Sequence, residues 1–235
     1  MTEKVLVLLK DLDSQKDLIK ADADFLSQWS NQTTQGEFSW SFDIKKTDAN
    51  FSTISSIVTS GVNNAQVLGK YLDPKQIVAA ASGQQCDVVA LLYSNLVYRD
   101  TISVHNSIVI NGVRCIQLPI SLQANKEGIA ENLAHELLHE DIFTANQRGA
   151  NLVDDVHQHS GLTDPRPEAN YSDIILKLKP YWPLLTQPDK SNLITLINSL
   201  KQQVVVLLQK LSLMPQTKLK QFAEAIQLHE VDCTP

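Results

Sequence analysis

Several common signatures are missing from this chain of 235 residues, and each absence removes a class of protein. Cysteine is scarce. Cys86, Cys115 and Cys233 are the only three, and no two stand in a Cys-x-x-Cys pair, which argues for reduced packing thiols and a cytoplasmic location and against a disulfide framework. Basic clusters are also lacking: 20 Lys and Arg stand against 26 Asp and Glu, for a net charge of −6. A nucleic-acid partner would call for clustered positive charge, so none is expected. No apolar run approaches membrane-spanning length. The N-terminus carries Glu3 and only five consecutive apolar residues, Val5–Leu9, so no signal peptide is read there. Histidine is rare too, at six residues, which makes its arrangement informative.

Two of the six histidines fall in Glu131-Asn132-Leu133-Ala134-His135-Glu136-Leu137-Leu138-His139-Glu140, within His-Glu-x-x-His. Residues four apart on a helix are rotated by only about 40°, so His135 and His139 stand one above the other, where both imidazoles can reach one metal ion. Glu136 lies beside that face, in position to take a proton from an attacking water. Ile129, Leu133, Leu137 and Leu138 supply an apolar stripe, Ala130 and Ala134 permit close packing, and Asn125 is a candidate N-cap with Glu127 in the first turn.

With His135, Glu136 and His139 matching its motif, the chain resembles the zincin zinc metallopeptidases. The resemblance is specific over about ten residues and architectural elsewhere. It departs from the metzincin subgroup: Ile142 and Ala145 stand where a Gly and a third His would be required, and no Met-turn candidate precedes Met214. The resemblance implies a catalytic Zn2+ with three protein ligands and one open position, Glu136 as general base, and a peptide or protein substrate. It also implies a third ligand from a second helix returning towards the first. Leu152–His159 is the segment for it, offering Asp154, Asp155, His157 and His159. Asp154 and His157 share one face and Asp155 and His159 another. His157 is preferred, with His159 and Asp154 as alternatives; where the gluzincins place a Glu, this segment has none. Tyr171, Arg148 or the non-ligating one of His157 and His159 is a candidate oxyanion donor. Glu131 and Asp155 are candidates to orient a ligand imidazole from behind. His105 and His229 read as ordinary polar residues.

The rest of the chain predicts an α+β, zincin-like fold: a mixed twisted sheet with an edge hairpin packed on the motif helix, then a helical C-terminal region. Val5–Leu9 and Val88–Tyr93 are continuous apolar runs that suit buried strands. A helix capped by Asp13 or Ser14 carries Leu18, Ile19, Phe25, Leu26 and Trp29, with Ser30–Gly36 as a loop. Phe38, Trp40, Phe42 and Ile44 alternate as a half-buried strand, and residues 51–82 read as mostly helical with a break at Asp73-Pro74. Strand, helix, strand in this order implies parallel neighbours. Asn111-Gly112 between two β-rich runs is a hairpin signal, with its edge available to an extended peptide. The motif helix is expected to end near Phe143.

Pro180, Pro183 and Pro188 mark a boundary between a metallopeptidase domain at 1–180 and a helical extension at 189–235. In that extension Leu193, Ile197, Leu200, Val204, Leu207, Leu211 and Met214 follow heptad spacing, so self-association through residues 190–214 is one reading and packing in a helical bundle or on the domain another. Lys218–Glu230 resembles the helix that opens phage-associated lysozyme-like modules, which hints at a longer phage or cell-wall protein. Alternatives to the peptidase are an inactive scaffold of the same fold and a helix-mediated interaction protein.

Overall fold

The computed structural model describes residues 1–59, 66–105, 109–110, 112–121, 126–159 and 166–185. The chain divides into two units, Met1–Gln187 and Pro188–Pro235. The second, with the heptad segment and the Lys218–Glu230 resemblance, lies outside the described residues. In the first unit, Trp182–Leu185 forms a short helix beyond the expected boundary at residue 180, and both Trp182 and Leu185 are buried.

A five-stranded mixed sheet is the frame. Strand β1 (Thr2–Lys10) pairs in parallel with β2 (Ser39–Lys46) on one side and with β5 (Val88–Ser94) on the other. Next comes β7 (Arg114–Ile120), parallel to β5, and the short antiparallel β6 (Val104–His105) closes the edge. Every residue of β5 is buried, as a central strand covered on both faces requires. Successive side chains alternate between those faces. Val5, Val7, Leu9, Ala90, Leu92, Ile116 and Leu118 join one core, while Leu6, Leu8, Val89, Leu91, Tyr93 and Cys115 join the other. Helices lie on both faces of a mainly parallel sheet, an α/β layering, where an α+β arrangement was expected.

The motif helix α3 (Lys126–Gln147) packs on β7, β6 and the helix α1 (Lys16–Thr33). It is buried nearly all round: Ile129, Leu133, Leu137, Leu138, Ile142 and Ala145 enter the larger core. It runs one turn past Phe143 and closes with two capping bonds, Gly149 N–H to Asn146 O at 3.0 Å and Ala150 N–H to Ala145 O at 3.0 Å. Gly149, with φ of 96°, takes the left-handed conformation that this cap needs. The candidate cap Asn125 lies outside the described residues. Helix α1 also exceeds its expected length, because Thr34 Oγ1 donates to Ser30 O at 2.7 Å and satisfies a terminal carbonyl.

One reading is corrected. Residues 53–59 and 66–72 are not helical but pair as antiparallel strands, β3 (Thr53–Thr59) with β4 (Gln66–Leu72). Thr53, Ile54, Ile57, Val58 and Thr59 are β-branched, stiff at χ1 and better suited to a strand. Only beyond Asp73 does a helix form, α2 (Pro74–Ala80), with the Asp73 side chain accepting from Lys75 N–H and Pro74 in its first turn. Gln117 of β7 fastens this pair of strands to the sheet: its amide accepts from Leu72 N–H at 2.7 Å and donates to Leu72 O at 3.0 Å.

Ile110 and Val113 form an antiparallel bridge on either side of the expected turn, and Gly112 has φ of 81°; Asn111 lies outside the described residues. The second arm of this hairpin is β7, interior to the sheet, so the edge on this side is the two-residue β6, with β2 at the other edge. Among the described residues no helix is long and apolar enough to cross a membrane.

Candidate metal centre

Three elements bring the histidines together. From α3 come His135 and His139, four residues apart on one face. After the cap at Gly149 the chain returns through an extended stretch to the four-residue helix α4 (Val156–His159), which carries His157. Helix α5 (Pro167–Lys177) then lies against α3 and α4 and supplies Tyr171. The return is tied down by Asn146, whose side chain donates to Leu152 O at 2.8 Å and accepts from Leu152 N–H at 2.5 Å. Nothing in the sequence spacing singled out Asn146, although it lies seven residues past His139, on the same side of the helix.

Ligand-capable atoms of His135, His139 and His157 all lie within 4.8 Å of one another. The Nε2 atoms of His135 and His139 are 3.1 Å apart. A tetrahedral ion bound at about 2.05 Å holds its nitrogen ligands about 3.3 Å apart, so this spacing is compatible with a shared metal ion. The His157 ring stands 4.4 Å from that of His139 and 4.8 Å from that of His135, centroid to centroid. Burial grades across the group: His139 is buried, His135 half-buried and His157 exposed. The group is thus open to solvent on the His157 side.

Behind the imidazoles stand hydrogen-bond partners. His139 Nδ1 lies 2.7 Å from Asp154 Oδ2, and Asp154 Oδ1 accepts from Val156 N–H at 3.4 Å, so one carboxylate orients a histidine and also starts α4. With an ion bound, Asp154 would hold the His139 proton on Nδ1 and leave Nε2 to the ion; without one, the 3.1 Å contact between the two Nε2 atoms requires a proton on one of them. His135 Nδ1 lies 2.9 Å from the Tyr171 hydroxyl, which in turn bonds Glu131 Oε1. Burial of Tyr171, its bond to Glu131 and the charges of Glu131 and Glu136 together push its hydroxyl far above the ordinary tyrosine range.

Of the other residues expected at the site, Asp154 takes the orienting position behind His139. Asp155 and His159 turn to each other at 3.7 Å, and Lys177 Nζ bonds Asp155 at 2.5 Å, so neither joins the three imidazoles. Glu131 reaches His135 only through Tyr171. Arg148 follows the last turn of α3, roughly 13 Å beyond His139 at 1.5 Å of rise per residue. Glu136, next to His135 on α3, is 7% exposed.

No protein-family model matches this chain, and no curated protein matches it. The function is therefore argued from the site itself.

Below the site, facing the sheet, is a second polar group that the sequence did not suggest. Arg114 of β7 donates to Glu3 of β1 and, at 2.7 Å, to Asp141 of α3. Trp40 Nε1 donates to the other oxygen of Glu3 at 3.0 Å, and Glu140 is fully buried nearby. Burial opposes the Arg114 charge, but Glu3, Asp141 and Glu140 outweigh it and hold the guanidinium above its usual range. Burial and the neighbouring Glu3 raise the Asp141 carboxyl well above its ordinary value, against the pull of Arg114.

Proposed function

We propose that this chain is a zinc-dependent peptidase of the His-Glu-x-x-His type, with a zincin-like arrangement of motif helix and sheet. The observation that carries this reading is the group of three imidazoles within 4.8 Å, two of them backed by hydrogen-bond partners on their outer nitrogens. His135, His139 and His157 would hold the ion, and Glu131, Glu136 and Asp154 give it a negative surrounding. A zinc ion there supplies Lewis acidity towards water and a carbonyl oxygen.

The remaining work belongs to the chain. Glu136 takes the proton of the attacking water and returns it to the leaving amine. The sheet edge nearest the motif helix is the two-residue β6, one of the sheet's two terminal strands and packed on α3, and it is the edge on which an extended peptide would dock.

Replacing Glu136 by Gln tests the reading. The amide cannot accept the proton, so hydrolysis of a mixed peptide library should fall by about 10²–10⁴-fold while zinc content and folding are kept. Chelation should abolish wild-type activity and added zinc restore it. If zinc is bound but wild type and variant cleave equally, or neither cleaves, the scaffold reading replaces the peptidase.

A further inference from the structure

Tyr171 has one proton and two neighbours. Glu131, as a carboxylate, only accepts, so the Tyr171 O–H is directed to Glu131. The hydroxyl oxygen is then left to accept, and the group facing it at 2.9 Å is His135 Nδ1. Tyr171 has no exposed surface, so its hydroxyl is committed on both sides with no path to a substrate. Glu131 and His135 stand four residues apart on α3, and Tyr171 from α5 spans them, a triangle that two rigid helices keep in register.

We propose that Glu131 and Tyr171 form a positioning relay that holds the His135 proton on Nδ1, so that Nε2 meets the ion as a lone pair, and that Tyr171 is not a donor to substrate. The inference rests on the metal-site reading of the same imidazoles. His139 reaches the same state through a single carboxylate, Asp154. His135 reaches it through two residues because Glu131 rises from its own helix, with Tyr171 bridging to the ring. The relay also fastens α5 to α3 at the level of the site, so ligand orientation and helix docking depend on one hydroxyl.

The test uses the full chain and three variants: Tyr171→Phe, which keeps the buried ring; Glu131→Leu, which removes the acceptor; and Glu131→Gln, whose amide oxygen still accepts. Zinc affinity is read by competition with a chromophoric chelator, and the His135 tautomer by 15N NMR of the metal-free protein, read for each Tyr171 and Glu131 form in a His139→Ala background so that the 3.1 Å contact between the two Nε2 atoms cannot itself set the proton. Loss of such a supporting bond typically lowers metal affinity about 10–100-fold. That loss is expected for Tyr171→Phe and Glu131→Leu, with Glu131→Gln close to wild type. With Tyr171 and Glu131 intact the His135 proton should reside on Nδ1, and in Tyr171→Phe the Nε2–H form should appear. An Nε2–H form with both residues intact overturns the relay. So does a Tyr171→Phe protein that binds zinc like wild type, or one that loses affinity while keeping the Nδ1 proton. A wild type that binds no zinc overturns the metal reading instead, and the tautomer data then decide the relay alone.

Discussion

On α3, His135 and His139 lie within two turns of Glu140 and Asp141, yet the two groups meet the rest of the protein in different ways. The histidines face α4 and α5 at a rim that opens progressively: the Asp154 side chain is 38% exposed and His157 is exposed. Glu3, Arg114 and Asp141 face the sheet, with side chains no more than 3% exposed. Both groups set carboxylates against nitrogen donors. Near solvent, the carboxylate orients a ring whose other nitrogen faces a second imidazole, so the arrangement gathers ligand-capable atoms at the rim. In the sealed group each charge is consumed by its neighbours, and what remains is architecture: β1, β7 and α3 are joined through one guanidinium. A charged group buried this deeply is tolerated only when paired. The difference between site and clamp is therefore a difference in access, and it separates the consequences of mutation.

The largest stability effect is expected at the clamp. Arg114→Met should cost about 3–5 kcal/mol in unfolding free energy, because Glu3 is left buried without its partner. Zinc affinity of the folded fraction should stay near wild type. Denaturant unfolding and a metal titration on the same sample check both halves. If affinity collapses while stability holds, the two regions are not separate.

Asn146→Ala should act in the opposite sense. It removes two hydrogen bonds to the Leu152 backbone, each contributing about 0.5–1.5 kcal/mol, and loosens the stretch that delivers Asp154 and His157. Zinc affinity should drop by about 5–30-fold if one to two kcal/mol of that ordering is lost. The melting temperature of the metal-free protein should fall by only about 2–8 °C, less than for Arg114→Met, since the packing of α3 on the sheet is kept.

The smallest effect is expected from Asp141→Asn. The raised Asp141 carboxyl means that the folded protein keeps a proton which the unfolded chain releases near 3.8. A folded state that binds more protons loses stability as pH rises from that unfolded value through the raised folded one. The neutral amide imitates the protonated acid, so the variant should stay close to wild type at low pH and show a flatter decline as pH rises. Stability curves at several pH values decide it. A variant with an unchanged slope would show that Asp141 is not the group responsible.

Much of the frame was legible because burial leaves a plain trace in sequence. Val5–Leu9 and Val88–Tyr93 are apolar at every position, and both became strands covered on two faces. The pairing of β3 with β4 was not legible from periodicity, since Ile54, Ile57 and Val58 also satisfy helical spacing. Their β-branching was the contrary signal. At the site, the i,i+4 geometry of His135 and His139 follows from the helix alone. The face argument for 152–159 assumed a helix throughout, whereas α4 begins only at Val156. Asp154 consequently lies on an extended lead-in, and it is placed by Asn146 rather than by helical phase. Tyr171 and the Arg114 clamp depend on contacts 36 and 111 residues apart along the chain, which no local pattern encodes.

Anomalous scattering at the zinc edge, from crystals of the full chain grown with one equivalent of zinc, tests the central claim most directly. The account predicts one dominant peak within bonding distance of His135, His139 and His157, with Asp154 and Tyr171 still on the outer nitrogens. A peak elsewhere, or imidazoles that remain together around no scatterer, would contradict it.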